Sequence, residues 1–135
     1  MARKLVSMSS AMESAVSSKS IPSILSLLEQ GESIDVCQRA TGVSLLMCVI
    51  REGLTDLACQ LIERGADIEA RSAEGETALM EAAIVGNTDL VKFLLDRGAK
   101  PNRRSRSGWT AMLWAEINGF QEIVEMLQRA DGRFS

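Results

Sequence analysis

Gly75-Glu76-Thr77-Ala78-Leu79-Met80-Glu81-Ala82-Ala83-Ile84-Val85-Gly86-Asn87-Thr88-Asp89-Leu90-Val91-Lys92-Phe93-Leu94-Leu95-Asp96-Arg97-Gly98-Ala99 decides the fold. Thr77 can cap a helix, because its hydroxyl can accept from a free amide of the first turn. Leu79, Ala82 and Ala83 then recur at helical spacing, and the alanines allow close helix approach. Gly86 stops this helix, being free to take positive φ. Asn87 or Thr88 caps a second helix, on which Leu90, Val91, Leu94 and Leu95 share one stripe. Gly98 stops that helix. The polar stretch from Ala99 to Gly108, with Pro101 and Asn102, reads as an extended finger.

The same pattern returns along the chain. Gly42, Gly75 and Gly108 are spaced by 33 residues, as are Gly53, Gly86 and Gly119, and Gly65 and Gly98. The same shift lays Gly53-Leu54-Thr55-Asp56-Leu57 on Gly86-Asn87-Thr88-Asp89-Leu90, Arg64-Gly65-Ala66 on Arg97-Gly98-Ala99, and Thr77-Ala78 on Thr110-Ala111. A pair of short helices cannot bury its own apolar stripe, so stability must come from stacking pair on pair.

The glycine lattice and leucine stripe resemble the ankyrin repeat. The family's Thr-Pro-Leu-His core appears as Ser44-Leu45-Leu46-Met47, Thr77-Ala78-Leu79-Met80 and Thr110-Ala111-Met112-Leu113, without the proline and histidine. The resemblance spans about residues 10–131 and implies an all-α fold. That fold is an ankyrin-repeat solenoid of about four stacked helix pairs with short extended fingers. Three repeats occupy 39–71, 72–104 and 105–131, the last closing with a helix from Gln121 to Gln128. A degenerate cap occupies about 9–38, with Ala11 to Val16 as its first helix and Ser20 to Gly31 as its second. Pro22 fits the first turn of that second helix. One extra residue falls between Ile34 and Gly42. A single domain is expected over 9–131, with frayed tails at 1–8 and 132–135.

Composition narrows the function. The net charge is −3, from 15 Lys plus Arg against 18 Asp plus Glu. That balance disfavours attraction to nucleic acid or an anionic membrane. The absence of histidine removes His-containing zinc sites and His-based catalytic triads. Cys37, Cys48 and Cys59 lack CxxC spacing and read as ordinary thiols rather than a disulfide framework. No cofactor, metal or catalytic residue is expected, so the chain reads as non-enzymatic. No signal peptide or apolar run of membrane-spanning length is present, which makes a cytoplasmic location the default.

Ankyrin resemblance implies binding to another protein through the fingers and the concave face of the first helices. As an adaptor, scaffold or inhibitor, the chain would be a monomer or weakly self-associating. Carried over position by position, the finger residues are Arg71, Glu74 and Glu76, then Arg104, Arg106, Ser107 and Trp109. The helix face contributes Arg51 and Glu52, Ile84 and Val85, then Ile117 and Asn118. A column facing partly inward contributes Glu81 and Trp114. Trp109 stands where the earlier repeats have Glu76 and Val43, so the fold does not require an aromatic there. Each tryptophan either anchors a partner, as interface Trp often does, or seals the open end of the stack. Lys100, Arg103, Arg104 and Arg106 make the last finger basic. Either it binds an acidic ligand or nucleic acid, or it is neutralised by the acidic finger before it.

Overall fold

The structure, a computed structural model, describes residues 6–131. The expected tail at 132–135 and the first five residues of the expected N-terminal tail lie outside the described residues. Among the described residues are eight helices: α1 (Ser10–Ser17), α2 (Ile21–Glu29), α3 (Leu45–Arg51), α4 (Thr55–Glu63), α5 (Ala78–Val85), α6 (Thr88–Asp96), α7 (Ala111–Ile117) and α8 (Gln121–Ala130). They fall into four pairs. Two compact units result, Met1–Asp67 with α1 to α4 and Ile68–Ser135 with α5 to α8. Among the described residues, no helix is long and apolar enough to cross a membrane.

Each first helix of a pair starts the same way. Ser9, Ser44, Thr77 and Thr110 hold extended backbone, and their hydroxyls accept from the amides of Met12, Met47, Met80 and Leu113. Each cap satisfies an amide that has no partner within its helix. Among the second helices, Asn87 caps α6 by accepting from the Leu90 amide. Ser20, Leu54 and Phe120, at the same place before α2, α4 and α8, form no side-chain cap. Packing must therefore hold those starts, as it does for most short helices.

In the first unit, α1 packs on α2 and α3 on α4. Met12, Ile24, Leu46, Ile50, Leu57 and Leu61 are fully buried. Every residue of α3 from Leu45 to Ile50 is buried, so this helix is apolar all round. Residues 6–8 correct the expected boundary at residue 9. The Met8 amide donates to the Cys37 carbonyl and the Cys37 amide to the Val6 carbonyl, each at 2.8 Å. Met8 is buried as a result. The added strand-like segment satisfies backbone groups of the first finger.

The extra residue can be placed. Asp35, four residues past Gly31, accepts from the Asp67 amide at 2.9 Å. Glu69, four residues past Gly65, accepts from the Lys100 amide at 3.0 Å. The register is thus unbroken as far as Asp35. The turn of the first finger runs from Gln38, whose amide donates to the Val43 carbonyl. In the later fingers the equivalent bonds run from Ser72 to Glu76 and from Ser105 to Trp109, one residue shorter. The insertion therefore sits in the first fingertip, between Gln38 and Gly42. Thr41 Oγ1 accepts from the Val43 amide there, the service that Ser72 and Ser105 perform in the shorter turns.

The first pair departs from the lattice at one more place. Lys19 occupies the position of Gly53, Gly86 and Gly119 and holds φ 57°, the only positive φ of a non-glycine among the described residues. Its ammonium lies 3.8 Å from Glu52, an exposed pair of small energetic weight.

In the second unit, α5 packs on α6 and α7, and α8 packs on α6 and α7. Leu79, Met80, Ala82, Ala83, Leu90, Leu94, Ala115, Ile123 and Leu127 form its buried interior. The stripe expected on α6 is present, with Leu90, Val91 and Leu94 buried and Leu95 half-buried.

Candidate partner-binding surface

The last two fingers are built alike. The Ser72 amide donates to the Glu76 carbonyl (3.0 Å), and the Gly75 amide returns to the Ser72 carbonyl (2.8 Å). Ser72 Oγ accepts from the Glu76 amide at 3.2 Å. Ser105, Gly108 and Trp109 repeat all three bonds, at 2.8, 2.9 and 3.1 Å. Each serine thus closes a tight turn whose crest is a glycine. At Gly75 a side chain would also be crowded, since a Cβ would lie 3.0 Å from the Arg106 amide nitrogen.

The fingers are stitched to each other by arginines. The Arg106 amide donates to the Glu74 carbonyl at 2.9 Å. Its Nη1 donates to the Ala73 carbonyl at 3.2 Å. In the opposite direction, Arg71 Nη1 donates to the Arg104 carbonyl at 3.1 Å. Arg104 Nη1 closes its own turn on the Gly108 carbonyl at 3.3 Å. Arg103 Nε lies 3.6 Å from Glu69 Oε1, within ion-pair range but beyond a hydrogen bond. Much of the positive charge on the last finger is therefore directed at carbonyls and a carboxylate within the second unit.

Beside these turns the two tryptophans meet. Trp109, the residue before the α7 cap, stacks on Trp114 of α7 with centroids 4.5 Å apart and planes inclined by 26°. Both rings are half-buried. They wall a cavity of about 230 Å³, completed by Glu74, Glu76, Ser105 and Ser107. Trp114 Nε1 is shielded from solvent and has no acceptor.

The expected site residues divide into three groups. Glu74, Glu76, Ser107, Trp109 and Trp114 converge on this cavity. Arg71, Arg104 and Arg106 are exposed, with donors spent on finger backbone. Ile84 is half-buried and Val85 is 42% exposed at the far end of α5. Asn118 is exposed, and its Nδ2 donates to the Ile84 carbonyl at 3.4 Å. Glu81 corrects the expectation. At 2% exposure it lies inside the buried run Ala78 to Ala83 of α5, so its side chain offers no surface to a partner.

Two further apolar residues of α7 are exposed. Ile117 is 65% and Leu113 37% exposed. The sequence places Leu113 level with Met80, which is buried, so repetition alone marks it as interior. The reversal comes from α7 being the last first-type helix of the described chain. Ser105 was hidden for the opposite reason, since a serine in a turn carries no sign of lining a cavity.

A family model described as ankyrin repeats (3 copies) matches residues 12–105 and 45–133. No curated protein matches the chain.

Proposed function

The chain belongs to the ankyrin-repeat family, and from that premise we propose that it is a non-catalytic adaptor, scaffold or inhibitor acting in the cytoplasm. Ankyrin repeats are in general protein–protein interaction modules. On this reading the partner lies along the last two fingers and the adjoining face of α5 and α7. The observation that carries the reading is the half-buried Trp109–Trp114 stack, which opens on the finger edge rather than closing into the interior. Val85, Leu113 and Ile117 add exposed apolar surface on the same two helices. Stacked aromatics flanked by apolar and arginine side chains are the usual make-up of an interface centre. No disulfide joins Cys37, Cys48 and Cys59 among the described residues, as suits a reducing compartment.

The test is capture from native lysate on the immobilised full chain, comparing wild type with Trp109→Ala and Val85→Glu. One protein retained by wild type and lost by either variant, with the unfolding midpoint of Val85→Glu unchanged, supports the reading. Identical capture by all three chains would remove the fingers and the α5–α7 face from the partner's path.

A further inference from the structure

The cavity beside the tryptophan stack is chemically one-sided. Its lining holds two carboxylates, two hydroxyls and two indoles, and no lysine or arginine. The arginines nearest in sequence, Arg71, Arg104 and Arg106, direct guanidinium donors to the carbonyls of Arg104, Gly108 and Ala73. Glu74 is exposed, and its side chain makes no hydrogen bond or ion pair with a described residue. At about 230 Å³ the cavity falls below the size that encloses a drug-like molecule or a cofactor, and suits one side chain.

We propose that this cavity, formed by Glu74, Glu76, Ser105, Ser107, Trp109 and Trp114, receives the cationic side chain of a lysine or arginine in an extended segment of the partner. The proposal rests on the protein-binding reading above and names what that partner must present. A cation lying against an indole face is attracted by the ring quadrupole, and tryptophan is the strongest of the aromatic side chains in this respect. The apolar stem of the same side chain covers indole carbon, while its head reaches the carboxylates. The stem's apolar contact and the head's electrostatic attraction act on different parts of one side chain and therefore add.

The two tryptophans of the chain both line this cavity, so their indole signals report on it directly. The experiment titrates the full chain with short Gly-Ser peptides whose central residue is lysine, arginine, glutamine or norleucine. The indole N–H resonances are followed by NMR. Saturable shifts are expected with lysine or arginine at the centre and not with the two neutral residues. Glu74→Gln and Glu76→Gln should each weaken binding by about threefold to fivefold, the range of an exposed ion pair, and added salt should weaken it further. Glu74→Gln keeps the indoles and the turns, so its unfolding midpoint should match wild type. Equal shifts with the neutral peptides, no shift up to the solubility limit of any peptide, or binding indifferent to both substitutions would each overturn the proposal. Capture of a lysate protein that survives Glu74→Gln/Glu76→Gln but is lost with Val85→Glu would overturn it while leaving the broader reading in place.

Discussion

The ring of Phe120 fills the space that a side chain on Gly86 would need, for a Cβ built there would lie 2.5 Å from Phe120 Cζ. Gly86 also holds φ 77° as the residue that ends α5. Two separate constraints thus fall on one position. Gly86→Ala is expected to lose about 2 kcal/mol or more, of which about 1–2 kcal/mol is left-handed backbone strain. Chemical denaturation of Gly86→Ala, Phe120→Ala and the double variant checks this. The double variant should lose less than the sum, because removing the ring removes the clash. Strict additivity would mean that the ring and the glycine do not press on each other.

Lys19 supplies the opposite case. It holds φ 57° where the other three pairs have glycine. Lys19→Gly should stabilise the chain by about 1 kcal/mol, less a few tenths for the exposed pair with Glu52. Thermal unfolding reads the sign. A lower midpoint would show that the lysine pair outweighs the backbone strain.

Asp35 and Glu69 make the same bond in two units, each to the amide two residues past a helix-ending glycine. Asp35→Ala leaves the Asp67 amide without that acceptor and should cost about 1 kcal/mol. Glu69→Ala should cost slightly more, because the Arg103 ion pair goes with it. Amide hydrogen exchange provides a local check, with Asp67 and Lys100 expected to lose protection in the respective variants and not in the other.

The stacked indoles should be visible optically. Transitions of two rings 4.5 Å apart couple and give a pair of circular-dichroism bands of opposite sign. Either Trp109→Phe or Trp114→Phe should abolish the pair of bands. A spectrum equal to the sum of two isolated indoles would separate the rings in solution.

Most of the fold was legible because it rests on repetition. The glycines and the Ser44, Thr77 and Thr110 caps recur at one period, and local rules for helix starts and stops then place the helices within two residues. The candidate site was legible only by exception. Trp109 and Trp114 stood out because their counterparts are Val43 and Glu76, and Cys48 and Glu81. Burial defeated the same logic at Glu81, since a column facing only partly inward was expected to leave its charged residue within a partner's reach. The arginine stitching was hidden because a guanidinium aimed at a neighbouring carbonyl has the same sequence signature as one aimed at a ligand. Phe120 carries no signal in the repeat, because its role depends on Gly86, far away in sequence. The pairing of Val6 to Met8 with Cys37 had no periodic counterpart to announce it.

The extra residue in the first fingertip has a meaning for how such a chain can change. Between Gln38 and Gly42 the turn is one residue longer than its relatives, yet Asp35 before it and Ser44 after it keep the bonds that the later repeats make. Length added there is absorbed locally and does not propagate to the helices. The crest of a finger is therefore a place where evolution can lengthen the chain, or an engineer can graft a foreign recognition loop, with the scaffold left as it was. The edge proposed to meet a partner is also the edge freest to vary, which would let one framework acquire new specificities without being refolded.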